Sequence, residues 1–132
     1  MNISEVAKLT GLTPKSIRLY EDKGIFTPPG RGINGYRIYN QSHIEDLRLI
    51  ARAKRAGFSL DECKLLLSFA HDPHRKSALV KDEARKKLAQ VKAKIEELRL
   101  IEVHLEQWIA ECPGDEHSQC PIIDELQGND SE

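Results

Sequence analysis

The sequence lacks long apolar runs. None approaches the roughly 20 residues that a membrane-spanning helix needs. The first residues, Met-Asn-Ile-Ser-Glu, do not follow the basic-then-apolar pattern of a secretory signal. These absences predict a cytoplasmic protein that does not enter a membrane. Because the cytoplasm is reducing, its three cysteines are expected to stay mostly reduced.

Catalytic arrangements are missing as well. The sequence has no recognisable Ser/His/Asp or Cys/His constellation, and no glycine-rich phosphate loop follows a strand pattern. The chain is therefore predicted not to be an enzyme.

Charge is distributed unevenly along the 132 residues, although the net charge is only −1. Residues 1–60 carry a net charge of +5, and residues 61–132 carry −6. Charged residues make up 31% of the chain, which favours long solvated helices over one compact globule. A basic N-terminal half on a near-neutral chain is typical of nucleic-acid binding. An uneven solvated surface without a ligand is the alternative.

Two short helices are predicted near the N-terminus. The first covers residues 4–10 and is stopped by Gly11; the second begins at Pro14 after the N-cap Thr13 and is ended by Gly24. Two such helices with a tight turn between them predict a helix-turn-helix, with Val6, Leu9, Leu12 and Ile17 facing inward. The residues expected to meet the DNA groove early in the second helix are Lys15, Ser16 and Arg18.

A hairpin is predicted after the second helix. Asn34-Gly35 is a strong turn signal because both residues accept positive φ, and residues 36–39 alternate like a strand. A hairpin that carries Arg31 and Arg37 beside a helix-turn-helix is a wing, whose arginines can bind phosphate or enter the minor groove. Instead of contacting DNA, Tyr36 and Tyr39 could pack the hairpin onto the helices. This packing role is favoured more for Tyr39 than for Tyr36.

Two further helices are expected over residues 41–56 and from Leu60 to about Ala70. Gly57 ends the first, and the capping box from Ser59 to Glu62 starts the second. The residues predicted to be buried are Ile44, Leu47, Ile50 and Ala51 in the first helix, and Leu60, Leu66 and Leu67, with Cys63 and Phe69 as additional candidates, in the second. Cys63 is interpreted as a small core residue.

A long helix is predicted from residue 77 to residue 110, because no proline or glycine occurs between Ser77 and Pro113. Its apolar residues follow a heptad spacing: Ala84, Leu88, Val91, Ile95, Leu98 and Leu105. A helix about 50 Å long with a narrow apolar stripe needs a partner, and a second copy of the chain is the simplest one. An antiparallel coiled coil would match a palindromic operator. A helix that folds back on its own domain is the alternative.

Cys112 and Cys120 enclose a short polar loop, and Pro121 can open a final short helix. Their spacing differs from the CxxC of zinc ribbons and redox sites, and a [2Fe–2S] cluster would need four cysteines. Two thiolates suit a soft cation that accepts low coordination, such as Cu(I), Ag(I) or Au(I). A disulfide, or a zinc site that uses His117 with Asp115 or Glu116, is the alternative.

Several of these segments resemble the MerR-type transcription regulators. The similarity is carried by residues 3–7 (Ile-Ser-Glu-Val-Ala), 11–13 (Gly-Leu-Thr), 16–21 (Ser-Ile-Arg-Leu-Tyr-Glu) and 34–39 (Asn-Gly-Tyr-Arg-Ile-Tyr). The Cys112-Pro-Gly-Asp and Cys120-Pro-Ile-Ile segments resemble the effector loop of the copper-efflux (CueR-type) branch. The resemblance implies a winged helix-turn-helix, a dimer built on the long helix, and DNA contacts from Lys15, Ser16, Arg18, Tyr20, Arg31, Tyr36 and Arg37.

The resemblance also implies the metal. In the copper-efflux branch the loop cysteines hold one monovalent ion, and Ser77 stands where zinc and mercury sensors carry a cysteine. Lys81 of the partner helix would compensate the −1 charge of the ion with two thiolates. These features imply a homodimeric, Cu(I)-responsive activator that distorts promoter DNA and works with RNA polymerase.

The expected organisation is mainly α-helical. It places a DNA-binding domain at 1–70, a hinge at 71–76, a dimerisation helix at 77–110, a metal-binding loop with a short helix at 111–126, and a disordered tail at 127–132.

Overall fold

The structure is a computed structural model that describes residues 1–128. Over this range the chain forms six α-helices and no β-strand, which confirms the predicted mainly α fold. The helices are α1 (Ile3–Thr10), α2 (Pro14–Asp22), α3 (Gln41–Arg55), α4 (Leu60–His71), α5 (Ser77–Glu111) and α6 (Pro121–Leu126). Among these helices, none is long and apolar enough to cross a membrane.

The chain divides into two compact units, the first Met1–Lys87 and the second beginning at Leu88. The division lies inside α5 because the start of that helix is attached to α4. Lys87 Nζ is 2.9 Å from Glu62 Oε1 and 5.5 Å from the centre of the Phe58 ring. The domain limits expected from the sequence stay predictions. The tail prediction for residues 129–132 lies outside the described residues, whereas Gln127 caps α6 and Gly128 follows at φ +76°.

The capping signals of the sequence set the ends of α1 and α2. The Thr13 hydroxyl accepts a hydrogen bond from the Ser16 N–H at 3.0 Å, and the Ser16 hydroxyl accepts one from the Thr13 N–H at 3.1 Å. Gly11 ends α1 in the left-handed region at φ +74°. A side chain there would strain the backbone by roughly 1–2 kcal/mol, so this glycine maintains the tight turn into α2.

One apolar core lies within the first unit. It joins residues of α1, α2, α3 and α4 to the segment before the wing and to Tyr39: Val6, Ala7, Ile17, Tyr20, Ile25, Phe26, Tyr39, Ile44, Leu47, Ile50, Ala53, Cys63 and Leu67. Leu60 and Leu66 pack against it half-buried, as does Leu12. The prediction that Leu9 faces inward is wrong, because Thr10 takes that side of α1, its hydroxyl donating to the Val6 carbonyl at 2.8 Å.

The predicted hairpin strand at residues 36–39 does not form. A single antiparallel bridge joins Arg31 to Arg37, and the Gly32 N–H donates to the Tyr36 carbonyl at 2.7 Å. Only Gly35 takes positive φ (+80°); Asn34 does not, although the turn signal predicted it for both. The wing is therefore a turn closed by one bridge. The Tyr39 backbone pairs with Met1 instead: its N–H donates to the Met1 carbonyl at 2.7 Å, and its carbonyl accepts from the Met1 amino group at 2.9 Å.

The apolar stripe of α5 is exposed in the single chain. Leu88, Val91, Ile95, Leu98 and Leu105 are each 38–52% exposed, and α5 has no buried residue along its 35 residues. The predicted helix from residue 77 to residue 110 is confirmed with one additional residue. Its heptad stripe is available for a partner.

Candidate nucleic-acid interface and metal centre

The N-terminal turns of α2 form one exposed basic face. The side chains of Lys15 and Arg18 are exposed, and with Thr13, Ser16, Leu19 and Asp22 they line a shallow surface depression. Ser16 is half-buried and its hydroxyl takes part in the capping box, which restricts what else it can contact. The face carries two basic side chains of the kind that bind phosphate oxygens, beside the carboxylate of Asp22.

Tyr20 does not share that face. It is 7% exposed and belongs to the core cluster. Its position supports a packing role and gives no direct support to the predicted DNA contact.

The wing presents two of its three predicted residues to solvent. Tyr36 is 71% exposed, and an Arg31 guanidinium N–H donates to the Gly35 carbonyl at 2.9 Å, which holds the turn. Ile33 is fully exposed at the same turn, and it was not among the residues predicted for the DNA interface. An apolar side chain at a glycine-rich turn was the available signal.

Arg37 connects the wing to α2. Its Nε lies 3.2 Å from Glu21 Oε2, and another guanidinium N–H donates to the Pro29 carbonyl at 2.7 Å. The Tyr39 hydroxyl donates to Glu21 Oε1 at 2.5 Å. Burial raises the pKa of Tyr39 well above its ordinary value, and the Glu21 carboxylate raises it further, so this hydroxyl stays a donor. Since a guanidinium has five N–H donors, Arg37 retains donors for a ligand.

Glu21 is a functional candidate that the sequence did not reveal as such. Its side chain is only 7% exposed, and it receives both Arg37 and Tyr39. An acidic residue in a basic segment was the signal, but only the folded wing shows which groups it binds.

Ser77 and Lys81 lie one turn apart at the start of α5, and both are exposed. The role predicted for them requires the loop of a second chain, so it stays a prediction.

The two loop cysteines lie side by side. Cys112 directly follows α5, and Cys120 is the N-cap of α6. Their Sγ atoms are 3.8 Å apart, well beyond the roughly 2.05 Å of a disulfide, so both are free thiols. Two sulfurs that share one ion at metal–sulfur distances of about 2.3 Å can be at most about 4.6 Å apart. The observed separation lies within that limit, and the pair therefore fits a two-thiolate site.

Backbone groups at the start of α6 favour the thiolate of Cys120. The pKa of Cys120 is lowered, chiefly by the N–H of Ile123, and further by the Cys112 side chain and the N–H of Ile122. Burial and the Asp124 carboxylate act in the opposite direction. Since the thiolate is the form that binds metals, this environment supports a ligand role.

The other candidate ligands do not join the pair. Within residues 1–128, no group of three or more His, Cys, Asp or Glu side chains is arranged to hold a metal ion. Asp115 accepts from the backbone N–H of His117 at 2.9 Å and so shapes the loop. Cys63 is fully buried, and burial raises its pKa, as expected of a core residue.

A cluster outside the loop was missed by sequence reasoning. Glu125 of α6 contacts His104 and Trp108 of α5: its Oε1 is 3.2 Å from His104 Nε2, and its Oε2 accepts from the Trp108 indole N–H. No spacing rule connects residues 104, 108 and 125, so the sequence pattern alone does not predict this cluster.

Comparisons with known proteins give consistent results. Residues 1–70 match the family described as MerR HTH family regulatory protein, and residues 44–108 match the one described as MerR, DNA binding. The HTH-type transcriptional regulator CueR of Vibrio cholerae is 57% identical over 129 residues, covering 98% of this chain and 93% of that protein.

Two solved structures are similar along nearly the whole chain. The transcription regulator PbrR691 from Ralstonia metallidurans CH34 in complex with lead(II) has a TM-score of 0.80 and 28% identity, covering 96% of this chain and 98% of that one. The dual function transcriptional regulator MerR of Bacillus megaterium MB1 in complex with mercury(II) has a TM-score of 0.70 and 31% identity. The similarity covers 96% of this chain and 99% of that one. Since all of these are transcription regulators, the prediction that this chain is not an enzyme is confirmed.

Proposed function

Because this chain belongs to the MerR family of HTH regulatory proteins, we propose that it is a homodimeric transcription activator that responds to Cu(I). Ag(I) and Au(I), which have the same charge and similar softness, would act as substitutes. The genes that it controls would serve copper efflux and detoxification. The observation that carries the proposal is the pair of free thiols, Cys112 and Cys120, with sulfurs 3.8 Å apart at the end of α5.

The ligand set supports a monovalent ion. Thiolates select soft cations, and two of them around a +1 ion leave a net charge of −1. That charge needs compensation when it is removed from water. The backbone N–H groups at the start of α6 supply part of it, and Lys81 of the partner subunit would supply more. A divalent ion would make the same site neutral and leave that lysine uncompensated.

Ser77 supports the same choice. In the relatives that sense divalent ions, the resemblance implies a cysteine at the position of Ser77. A serine at this position would leave the site without a third thiolate. Cys112 and Cys120 would hold the ion, while Ser77 and Lys81 would surround it from the second chain. Because Cys112 directly follows α5 and Cys120 precedes α6, an ion held by both thiolates would link the end of α5 to the start of α6.

The dimer would be an antiparallel coiled coil of α5. Its exposed apolar stripe needs cover, and a second copy supplies the same heptad spacing. Two basic faces, each with Lys15, Arg18 and a wing, would then contact two half-sites of a promoter. Metal binding would change how the dimer distorts that DNA for RNA polymerase, shifting a two-state equilibrium.

The test is an anaerobic titration of the reduced protein with Cu(I), and separately with Zn(II), against a competing chelator. One tightly bound Cu(I) per chain is expected. Binding should be lost in Cys112→Ser and in Cys120→Ser, and retained in Cys63→Ser, which is the matched control because that thiol is buried elsewhere. Transcription from the target promoter in vitro should rise with Cu(I) in the wild type and in Cys63→Ser, and should not respond in Cys112→Ser or Cys120→Ser.

The alternative function is a sensor of another metal, Zn(II), or of thiol oxidation. Two neighbouring free thiols, one with a lowered pKa, are the observation that favours the redox version. Tight zinc binding with weak copper binding would overturn the monovalent assignment. If neither Cu(I) nor Zn(II) binds tightly and transcription responds to an oxidant, the redox alternative would be established.

A further inference from the structure

Three side chains of the second unit meet beside the cysteine loop. The Glu125 carboxylate on α6 lies 3.2 Å from His104 Nε2 and accepts a hydrogen bond from the Trp108 indole. The rings of His104 and Trp108 are 4.5 Å apart between centres, tilted by 42°. Since these two residues are one turn apart, they present one face of α5 to the carboxylate.

The α6 helix needs such an attachment. It has six residues, and helices this short do not persist on their own in water. Its apolar residues Ile123 and Leu126 are more than half exposed, while Ile122 is half-buried. The carboxylate of Glu125 therefore supplies a specific polar contact between α6 and α5.

The same two helices carry the thiols. Cys112 follows the last residue of α5, and Cys120 directly precedes α6. The separation of the sulfurs therefore depends on where α6 lies against α5. Loop residues 113–119 alone would leave that separation variable, because a seven-residue polar loop has many conformations.

We propose that Glu125 is a positioning residue for the thiol pair, because it holds α6 against α5 through Trp108 and His104 and thereby sets the distance between Cys112 and Cys120. The inference rests on the proposed function only where it names Cu(I) as the ion that the thiol pair binds. The positioning itself is a property of the metal-free protein and can be measured without any ion.

Reciprocity gives this contact a second consequence. If attachment of α6 favours the arrangement that binds the ion, then the bound ion must favour attachment of α6 by the same factor. Trp108 is the chain's single tryptophan and lies in the contact. Its fluorescence therefore reports the attachment directly.

The test compares Glu125→Ala with Asp124→Ala. Both substitutions remove one negative charge from α6 and both raise helix propensity, but only the first removes the contact with α5. Trp108→Phe is a third variant, which keeps an aromatic ring and removes the indole N–H. Unchanged far-UV circular dichroism and dimer mass show that each variant folds.

In the metal-free protein, Glu125→Ala and Trp108→Phe should speed amide hydrogen exchange over residues 122–126, while Asp124→Ala should not speed it. Cu(I) affinity should fall roughly three- to tenfold in the first two variants, the range expected when one hydrogen-bonded carboxylate at a partly exposed site is removed. The Asp124→Ala affinity should not fall below the wild-type value, because the Asp124 carboxylate disfavours the Cys120 thiolate. In the wild type, Cu(I) should change Trp108 fluorescence, and in Glu125→Ala that change should be much smaller.

Equal exchange rates and equal affinities in Glu125→Ala and Asp124→Ala would overturn the inference and leave the proposed function intact. Weaker binding in Glu125→Ala without faster exchange would also overturn it, because the residue would then act through charge. If the wild type does not bind Cu(I) tightly, the proposed function fails, and the exchange rates of the metal-free variants still decide the inference.

Discussion

The guanidinium of Arg37 lies 3.2 Å from the carboxylate of Glu21, and this ion pair joins the wing to α2. The Glu21 side chain is nearly buried and also accepts a hydrogen bond from the Tyr39 hydroxyl, so it is held by one residue of the wing and one of the core. An acidic residue thus lies inside a surface that is otherwise basic. Its negative charge would oppose binding to DNA, and its contacts would favour binding by fixing the wing.

The Glu21→Gln substitution separates these two effects, because they change DNA affinity in opposite directions. We expect DNA affinity to fall about fivefold, close to 1 kcal/mol, because Arg37 loses a charge-assisted hydrogen bond and the wing loses its position. The measurement is fluorescence anisotropy at fixed salt with a duplex selected from a random pool. Asp22→Asn is the control: it removes an exposed charge from the neighbouring position and should strengthen binding. Stronger binding by both variants would show that Glu21 does not position the wing.

Leu98→Asp should prevent dimerisation. Leu98 lies on the exposed heptad stripe of α5, and a carboxylate there would be buried without a partner in a coiled coil. Leu100→Asp is the matched control, because Leu100 is more exposed and lies off the stripe. Sedimentation should give a monomer for the first variant and a dimer for the second. Two monomers, or two dimers, would contradict the predicted seam.

Glu62→Gln should destabilise the protein in a pH-dependent way. The pKa of Glu62 is lowered from 4.5 to about 2, chiefly because the Ser59 backbone N–H donates to its carboxylate, and also because of the Lys87 ammonium. A carboxylate whose pKa is lowered by folding stabilises the folded state above pH 4.5, and that contribution is lost as the pH falls towards 2.

At pH 7 the expected loss is about 0.5–1 kcal/mol, since the pair is partly exposed and Gln preserves the capping geometry. Urea unfolding at one protein concentration should show the difference from wild type shrinking between pH 4.5 and pH 3. Asp82→Asn, which breaks an exposed pair with Arg85 at 3.6 Å, should change stability little at any pH. A difference for Glu62→Gln that stays constant with pH would contradict the assignment.

Lys81→Ala tests the proposed charge compensation. If Lys81 of the partner subunit faces the anionic site, Cu(I) affinity should fall about fivefold, an energy of about 1 kcal/mol for a partly screened charge. Lys92→Ala removes an equal charge from the middle of α5 and should have no such effect. The measurement is anaerobic competition with a Cu(I) chelator. An affinity equal to wild type would remove Lys81 from the site.

The amino-acid sequence determined the helices and most of their ends. Caps at Thr13 and Ser59 are local devices whose hydrogen bonds span three residues, so their pattern is readable along the chain. The heptad spacing of α5 and the proximity of Cys112 to Cys120 are local in the same sense. For this reason these features of the fold and the thiol pair could be predicted.

Tertiary structure alone decided the contacts between distant positions. The Tyr39 side chain enters the core and reaches Glu21, 18 residues away. The Tyr39 backbone pairs with Met1, 38 residues away, and the wing has one bridge where a strand was predicted. Glu125 meets Trp108 across 17 residues. Such pairs depend on how helices pack, and no period of 3.6 or 2 residues relates them. The sequence by itself therefore determined the thiol pair and the basic residues that can bind ligands. Only tertiary packing decided that Glu125 and Glu21 contact the segments that carry them.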